Sequence, residues 1–136
     1  MVRGRGLLFP KLAVADGSAD DACKSMVLVR FVTVRILFKA RIPTDVGNAA
    51  AREGELGEMI AKILADQKPE AAYFTDENGM RCAYLILEIE SSSEIPRISE
   101  PWLLSFNAEI ELHPAMSLED LEKAGPWIAE AVDKYG

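Results

Sequence analysis

The chain has 136 residues, of which 49% are hydrophobic and 27% charged, and its formal net charge at pH 7 is −7. This mix is typical of a soluble globular protein, and the length fits one ordinary domain. The acidic balance argues against nucleic-acid binding, which needs clustered basic side chains. No apolar run reaches the roughly 20 residues that span a bilayer. We therefore expect neither a nucleic-acid partner nor a membrane partner.

The beginning of the chain differs from the rest. Residues 1–25 show no helical or strand periodicity and contain several glycines and Pro10, so we expect a flexible extension there and a single domain over 26–136. Met26 opens the patterned part and is an alternative translation start to Met1. Residues 1–41 carry eight basic and three acidic residues, whereas residues 42–136 carry seven and nineteen. The basic excess is thus confined to the start of the chain.

The number and spacing of the cysteines indicate the cellular compartment in which the protein works. Cys23 and Cys82 are the only two cysteines and lie far apart in sequence, so no disulfide framework is indicated. Pro10 and Lys11 interrupt the first apolar run before it reaches signal-peptide length. We expect a reduced, cytoplasmic protein.

Alternation of apolar and polar residues predicts a first strand from Val34 to the residue before Pro43. Its apolar residues fall on one side, and Arg35, Lys39 and Arg41 fall on the other. Because successive strand residues point to opposite faces, the sheet should have one dry face and one open, charged face.

The second element is a helix with a single apolar stripe. Glycines at Gly47, Gly54 and Gly57 weaken its first turns, since an interior glycine costs about 1 kcal/mol relative to alanine. The stripe has the spacing i, i+3, i+4, i+7, i+8. It consists of Leu56, Met59, Ile60, Ile63 and Leu64.

A hairpin follows this helix. The segment AAYFT predicts a short strand, the pair Asn78-Gly79 favours a tight turn with positive φ, and RCAYLILEIE predicts the returning strand. We place Tyr73 and Tyr84 on the open face. Phe74 is expected in the core instead.

A second helix and a last strand come next. Ser93 is expected to cap the helix, in which Ile98, Trp102 and Phe106 recur at helical spacing and Pro101 causes a kink or a late start. Phe106 is expected in the core, whereas Trp102 either closes the core or lines a cleft between helix and sheet. The segment NAEIELHP predicts the last strand. Its open face should carry Asn107, Glu109, Glu111 and His113.

The C-terminal segment begins with a capping box, Ser117 to Asp120, which favours a further helix. Gly125-Pro126 is expected to break that helix in two.

This order of elements is typical of an α+β fold, the ferredoxin-like βαββαβ sandwich, in which a four-stranded antiparallel sheet has helices on one face. Here a C-terminal helix is added. The chain resembles the dimeric α/β-barrel superfamily, in particular its small uncharacterised bacterial members, over about residues 34–116. The resemblance rests on element order, on the ENG hairpin followed by RCAYLILEIE, and on NAEIELHP. It implies a homodimer joined through the open sheet faces, with pockets between sheet and helices, and identifies no catalytic residue.

The open face has two interpretations. Opposite charges on adjacent strands pair across a sheet and contribute roughly 0.2–1 kcal/mol each, which explains the charges structurally. Alternatively, burial in a dimer shifts pKa values, so that His113 accepts a proton, Glu109 or Glu111 orients it, and Arg35 or Arg41 binds an anionic oxygen. The structural interpretation is the simpler one, because a charge ladder on a sheet is usually an interface or a solvated surface.

These considerations define the candidate residues. The catalytic candidates are His113, Glu109 and Tyr84. Neither a metal nor a cofactor is expected, because one histidine and two distant cysteines supply no zinc spacing and no second haem signal accompanies the histidine. The candidate ligand-binding residues are Arg35, Lys39, Arg41, Tyr73, Glu111 and Trp102.

Three functions of different classes fit the sequence. We favour a small cytoplasmic homodimer that binds a small ligand or a partner without a confirmed catalytic role. A cofactor-independent enzyme resembling the monooxygenases or isomerases, acting on a small aromatic or anionic substrate, is the second. A purely structural or regulatory interaction module is the third.

Overall fold

The computed structural model describes residues 32–136. The expected extension over 1–25, the alternative start at Met26 and Cys23 lie outside this part of the chain. A short 3-10 turn, Ser92–Glu94, precedes the third helix. The elements are β1 (Val34–Ile42), α1 (Thr44–Arg52), α2 (Leu56–Gln67), β2 (Ala71–Glu77), β3 (Met80–Ile89), α3 (Ile95–Phe106), β4 (Glu109–Ala115) and α4 (Leu118–Tyr135).

The four strands form one antiparallel sheet in the order β2-β3-β1-β4. The predicted α+β class and four-stranded antiparallel sheet are confirmed, and the arrangement is compatible with a ferredoxin-like fold. Phe38 of β1 lies opposite Leu85 on β3 and Leu112 on β4, whereas Lys39 lies opposite Tyr84 and Glu111. Because directly opposed residues share a face, this register separates a dry face from an open face, as predicted.

The core lies between the dry face and the helices α2 and α3. Trp102 is completely buried, with its ring centroid 6.2 Å from that of Phe38 and 6.1 Å from that of Phe106. Its indole N–H donates to Gln67 Oε1 at 3.2 Å, and Gln67 Nε2 donates to the carbonyl of Ile98 at 2.8 Å. The buried amide therefore ties α2 to α3, and Trp102 closes the core.

Two turns differ from the sequence prediction. The single helix expected after β1 is two helices, α1 and α2, because Gly54 adopts a φ of 76° between them. Ser91, not Ser93, caps the 3-10 turn, and its side chain accepts from the N–H of Ser93. The hairpin is confirmed, with positive φ at Asn78 and Gly79.

The C-terminal half contains three further corrections. Asn107 does not lie on β4 but ends α3 in the left-handed region, with a φ of 49°. Phe74 is half exposed instead of lying in the core. The capping box of Ser117 and Asp120 is confirmed, but α4 runs unbroken through Pro126. Gly125 precedes that proline and has no Cβ to clash with the ring, which lowers the cost of continuing the helix. None of the helices within 32–136 combines the length and apolarity needed to cross a membrane.

Replacing Trp102 with alanine should lower the free energy of unfolding by about 3–5 kcal/mol, because it leaves a cavity and removes the hydrogen-bond partner of a buried amide. Urea denaturation followed by circular dichroism measures this loss. The matched control is Leu104→Ala on the same helix, which should change stability by less than about 0.5 kcal/mol because Leu104 is 79% exposed. Similar losses in both variants would contradict the position of Trp102 in the core.

Candidate functional site

The side chains of the open face stand in rows that cross the sheet from β2 to β4. Two sequence-predicted candidates lie outside these rows: Trp102 is in the core on the other side of the sheet, and Arg35 lies on the open face opposite Glu88 on β3 and Ala115 on β4. All other candidates lie in the rows. The rows are Tyr73, Tyr84, Lys39 and Glu111; then Thr75, Cys82, Arg41 and Glu109; and then Ala71, Ile86, Leu37 and His113.

Lys39 is the centre of the polar cluster on this face. Its ammonium lies 2.6–2.7 Å from the two carboxylate oxygens of Glu77 and 3.9 Å from that of Glu111. The same ammonium lies 5.6 Å from the ring centroid of Tyr84, whose hydroxyl donates to Glu77 at 3.3 Å. The Cys82 thiol contacts the same carboxylate at 3.7 Å. The Glu77 carboxylate of β2 thus contacts side chains of both β1 and β3.

The pKa values of the titratable groups in this cluster all shift away from neutral pH. The hydrogen bond to Glu77 raises the pKa of Lys39, and the same bond lowers the pKa of Glu77. Burial, followed by the charge of Glu77, raises the pKa of Tyr84 and the pKa of Cys82. Every shift leads away from neutrality, whereas a general acid or base works best with a pKa near the operating pH. The cluster therefore has the electrostatics of a stabilising ion-pair network.

The other basic residues of β1 also face acidic groups, as the sequence predicts. Arg41 Nη2 lies 2.8 Å from Glu109 and 3.6 Å from Glu111. Arg35 is surrounded by three carboxylates, at 2.9, 3.7 and 4.0 Å. An anionic ligand at either guanidinium would have to displace a carboxylate that is already bound. The partners of Arg35 are Glu70, Glu88 and Asp120.

His113 lies at the margin of the open face. Its side chain is 63% exposed, and its Nε2 lies 3.5 Å from Glu111. Tyr84 is two strands and two residues away, which corresponds to a Cα separation of about 12 Å. The carboxylate of Glu109, meanwhile, is occupied by Arg41. The structure therefore does not bring the three catalytic candidates together around one reacting atom.

Sequence reasoning missed three acidic residues that pair with the basic residues of β1, namely Glu77, Glu70 and Asp120, the last of which it assigned only to the capping box. Alternation from Tyr73 through Thr75 extends to Glu77, so the strand pattern contained the signal for that residue. Glu70 precedes β2, and its contact with Arg35 depends on the tertiary arrangement.

A second candidate site lies on the other side of the sheet. A cleft of about 370 Å³ opens between the start of α3 and the dry face. Its lining is aliphatic apart from two serines, and none of the sequence-predicted candidates contributes to it. Three separate stretches of the chain supply the lining, so no local pattern could have revealed the cleft. The lining residues are Val34, Ile36, Ile89, Ser91, Ser92, Ile95, Ile98, Leu112 and Pro114.

The cleft has the size of a ligand site. Pockets for small molecules typically measure about 300–1,000 Å³, and an engineered apolar cavity of about 150 Å³ holds one benzene molecule. A volume of about 370 Å³ therefore suits a molecule of roughly two rings. Its aliphatic walls select an apolar body, and Ser92, beside the capping residue Ser91, suits one polar substituent.

Within residues 32–136, no three His, Cys, Asp or Glu side chains are grouped so that they could hold a metal ion. Comparisons with protein-family models, with curated proteins and with solved structures found no match. The functional inference therefore depends on the geometry of the two sites.

Replacing Glu77 with glutamine should lower the free energy of unfolding near pH 7, and the difference from wild type should shrink as the pH is lowered. Because Lys39 lowers the pKa of Glu77 in the folded state, ionised Glu77 stabilises the fold above its ordinary pKa. That contribution is lost as the pH falls through the lowered value. Urea denaturation between about pH 7 and about pH 2 measures the difference.

The control for this series is Glu90→Gln. Glu90 is exposed and forms no ion pair within the described part of the chain, so its replacement should leave the stability curve unchanged. A wild-type-to-Glu77→Gln difference that stays constant over the whole pH range would contradict a charge-based role for Glu77.

Proposed function

We propose that the protein is a ferredoxin-like homodimer that binds a small, predominantly apolar molecule in the cleft beneath the start of α3. The proposal rests on the cleft itself. Without a ligand, an aliphatic concavity of about 370 Å³ would expose its apolar walls to water. The ligand class follows from the lining: a body of about two rings, or a chain of similar volume, with one polar group near Ser91 and Ser92.

Binding without catalysis is favoured over the enzyme hypothesis. His113 and Tyr84 lie in different rows of the open face, and the pKa shifts around Lys39 move away from neutrality. Among residues 32–136, no titratable side chain lines the cleft. The free, buried thiol of Cys82 is in keeping with a reducing compartment such as the cytoplasm.

The homodimer would form through the open face. Its basic side chains are already paired with carboxylates of the same subunit, so burying the face leaves no lone charge in the interface. Leu37 and Tyr73 expose apolar surface among the charged side chains, and a second sheet packed on this face would bury it. A face with internal charge pairing and scattered apolar side chains suits a second copy of itself.

An apolar probe should stabilise the folded protein against heat. We expect 2-naphthol and 1-nonanol to raise the melting temperature in a saturable manner, because a ligand bound only by the native state adds about RT ln(1 + [L]/Kd) to stability. Differential scanning fluorimetry over a concentration series measures the shift.

A matched pair of variants locates the binding site. Ile95 lines the cleft and is 38% exposed, whereas Leu103 on the same helix is 37% exposed and lies outside it. Ile95→Gln should reduce the shift and Leu103→Gln should preserve it. The ligand proposal fails if neither probe shifts the wild type, or if both variants respond equally.

Sedimentation velocity tests the homodimer. Wild type should sediment as a dimer at micromolar concentration, and Leu37→Asp should weaken the dimer at least about tenfold by adding a charge at the centre of the open face. Leu104→Asp makes the same change on an exposed position of α3 and should have no effect. A monomeric wild type, or equal behaviour of the two variants, would reject association through this face.

A further inference from the structure

The C-terminal helix α4 carries an apolar stripe that has no partner within residues 32–136. None of its residues is buried, and its large apolar side chains are 46–87% exposed. Alternate steps of three and four residues separate the positions of the stripe, which is the heptad spacing of a helix that packs on another helix. The seam, as we call these positions, consists of Leu118, Leu121, Gly125, Ile128, Val132 and Tyr135.

The ion pairs of α4 lie away from the seam. They run along the other side of the helix, from Lys123 to Glu119 at 2.7 Å and from Lys134 to Glu130. Ala124 and Ala131 border the seam on one side, and Glu122 and Asp133 border it on the other. A second helix could therefore pack on the seam while these two carboxylates stay at the rim of the contact.

Beyond its first turn, this helix gains little from local interactions, because its two i,i+4 ion pairs are exposed. The capping box fixes its start, and the ion pair of Asp120 with Arg35, at 4.0 Å, ties that turn to the sheet. An interior glycine costs about 1 kcal/mol and an interior proline about 3 kcal/mol, and isolated helices of this length are marginal in water. With Gly125 and Pro126 in its middle, α4 would be stabilised by packing its stripe on another apolar surface.

We propose that the seam of α4 packs antiparallel against the same seam of a second copy of the chain, an inference that rests on the homodimer of the proposed function. Antiparallel alignment about the helix midpoint places Leu118 opposite Tyr135, Leu121 opposite Val132, and Gly125 opposite Ile128. The smallest seam residue thereby faces a branched one, so the two helices interdigitate.

The helix dipoles favour this direction. Antiparallel packing sets the N-terminus of one α4 beside the C-terminus of the other, so that the two dipoles oppose each other, whereas parallel packing would bring like ends together.

The apolar area that a dimer interface requires also favours a contact through the seam. A stable interface buries about 800 Å² per partner and has an apolar centre. The open face is largely charged, and the six seam positions supply the apolar area that it lacks.

Two neighbouring residues provide the decisive variants. Ile128 lies in the seam and is 54% exposed in the subunit, whereas Trp127 is 73% exposed and points about 100° away. Ile128→Asp should weaken the dimer at least about tenfold in sedimentation equilibrium. Trp127→Asp should leave it unchanged. No effect of Ile128→Asp, or an equal effect of both changes, would overturn the proposal; circular dichroism confirms that each variant is folded.

Disulfide trapping tests the alignment. In a chain with both native cysteines replaced by alanine, Leu121→Cys combined with Val132→Cys should give a covalent dimer on mild oxidation. Leu121→Cys alone should not, because the two copies of that residue would lie about 16 Å apart, beyond the roughly 7 Å that a disulfide spans between Cα atoms. Efficient cross-linking of the single variant would overturn the antiparallel arrangement.

Failure of this inference can be distinguished from failure of the proposed function. A dimer that persists in Ile128→Asp and forms no cross-link overturns the pairing of α4 and leaves the open-face homodimer standing. A wild type that is monomeric throughout overturns both. The thermal shift with 2-naphthol tests the cleft independently of either outcome.

Discussion

The alternation of side chains along β1 is the constraint on which the rest of the structure depends. Phe38 is completely buried beneath the helices, and its neighbours Leu37 and Lys39 point to the opposite face. A slip of one residue against β3 or β4 would turn three basic side chains into the core and expose the aliphatic ones. The register of the central strand is therefore fixed from both faces, and the order of the sheet, the core and the charged rows follow from it.

The open face shows how the same strand limits function. Each basic residue of β1 is matched by a carboxylate on another element, so the face has little unsatisfied charge to offer a small anion. The same pairing makes the face suitable for contact with a like surface, because the charges need no counter-ion from the partner. Ion pairs that are complete within one subunit give specificity to an interface without a penalty for lone buried charge. Binding of a small molecule is thus better supported at the aliphatic cleft on the other side.

Strong local periodicity was the part of the fold that could be predicted from sequence. The dry and charged sides of β1, the Asn78-Gly79 hairpin and the capping box at Ser117 each depend on residues close in sequence. Helix boundaries were harder to predict, because a glycine or proline changes the free energy by only a few kcal/mol and tertiary contacts decide the outcome. Gly54 does separate two helices, whereas Gly125-Pro126 does not.

The candidate site residues show the same contrast between features that local sequence patterns predict and features that tertiary contacts decide. The charged rows followed from alternation, and even Glu77 obeys the parity of β2. Trp102 shows the limit, because a tryptophan at helical spacing fits both a core and a cleft, and only its contacts with Phe38 and Gln67 decide for the core. The cleft had no local signal, since residues from both ends of the domain form it. Side chains that come together only through tertiary structure produce no periodic pattern in the sequence.

The helices raise a question that neither sequence nor subunit structure answers alone. α2, α3 and α4 each carry an apolar stripe, yet the sheet offers a single dry face, and α2 and α3 already cover it. Within residues 32–136 nothing covers the third stripe, and apolar surface left in water costs about 25 cal/mol per Å². An excess of apolar stripes over dry faces is a feature of chains whose core is completed by association. Since antiparallel alignment sets a small residue of the stripe opposite a branched one, a second copy of α4 is the partner that we propose for it.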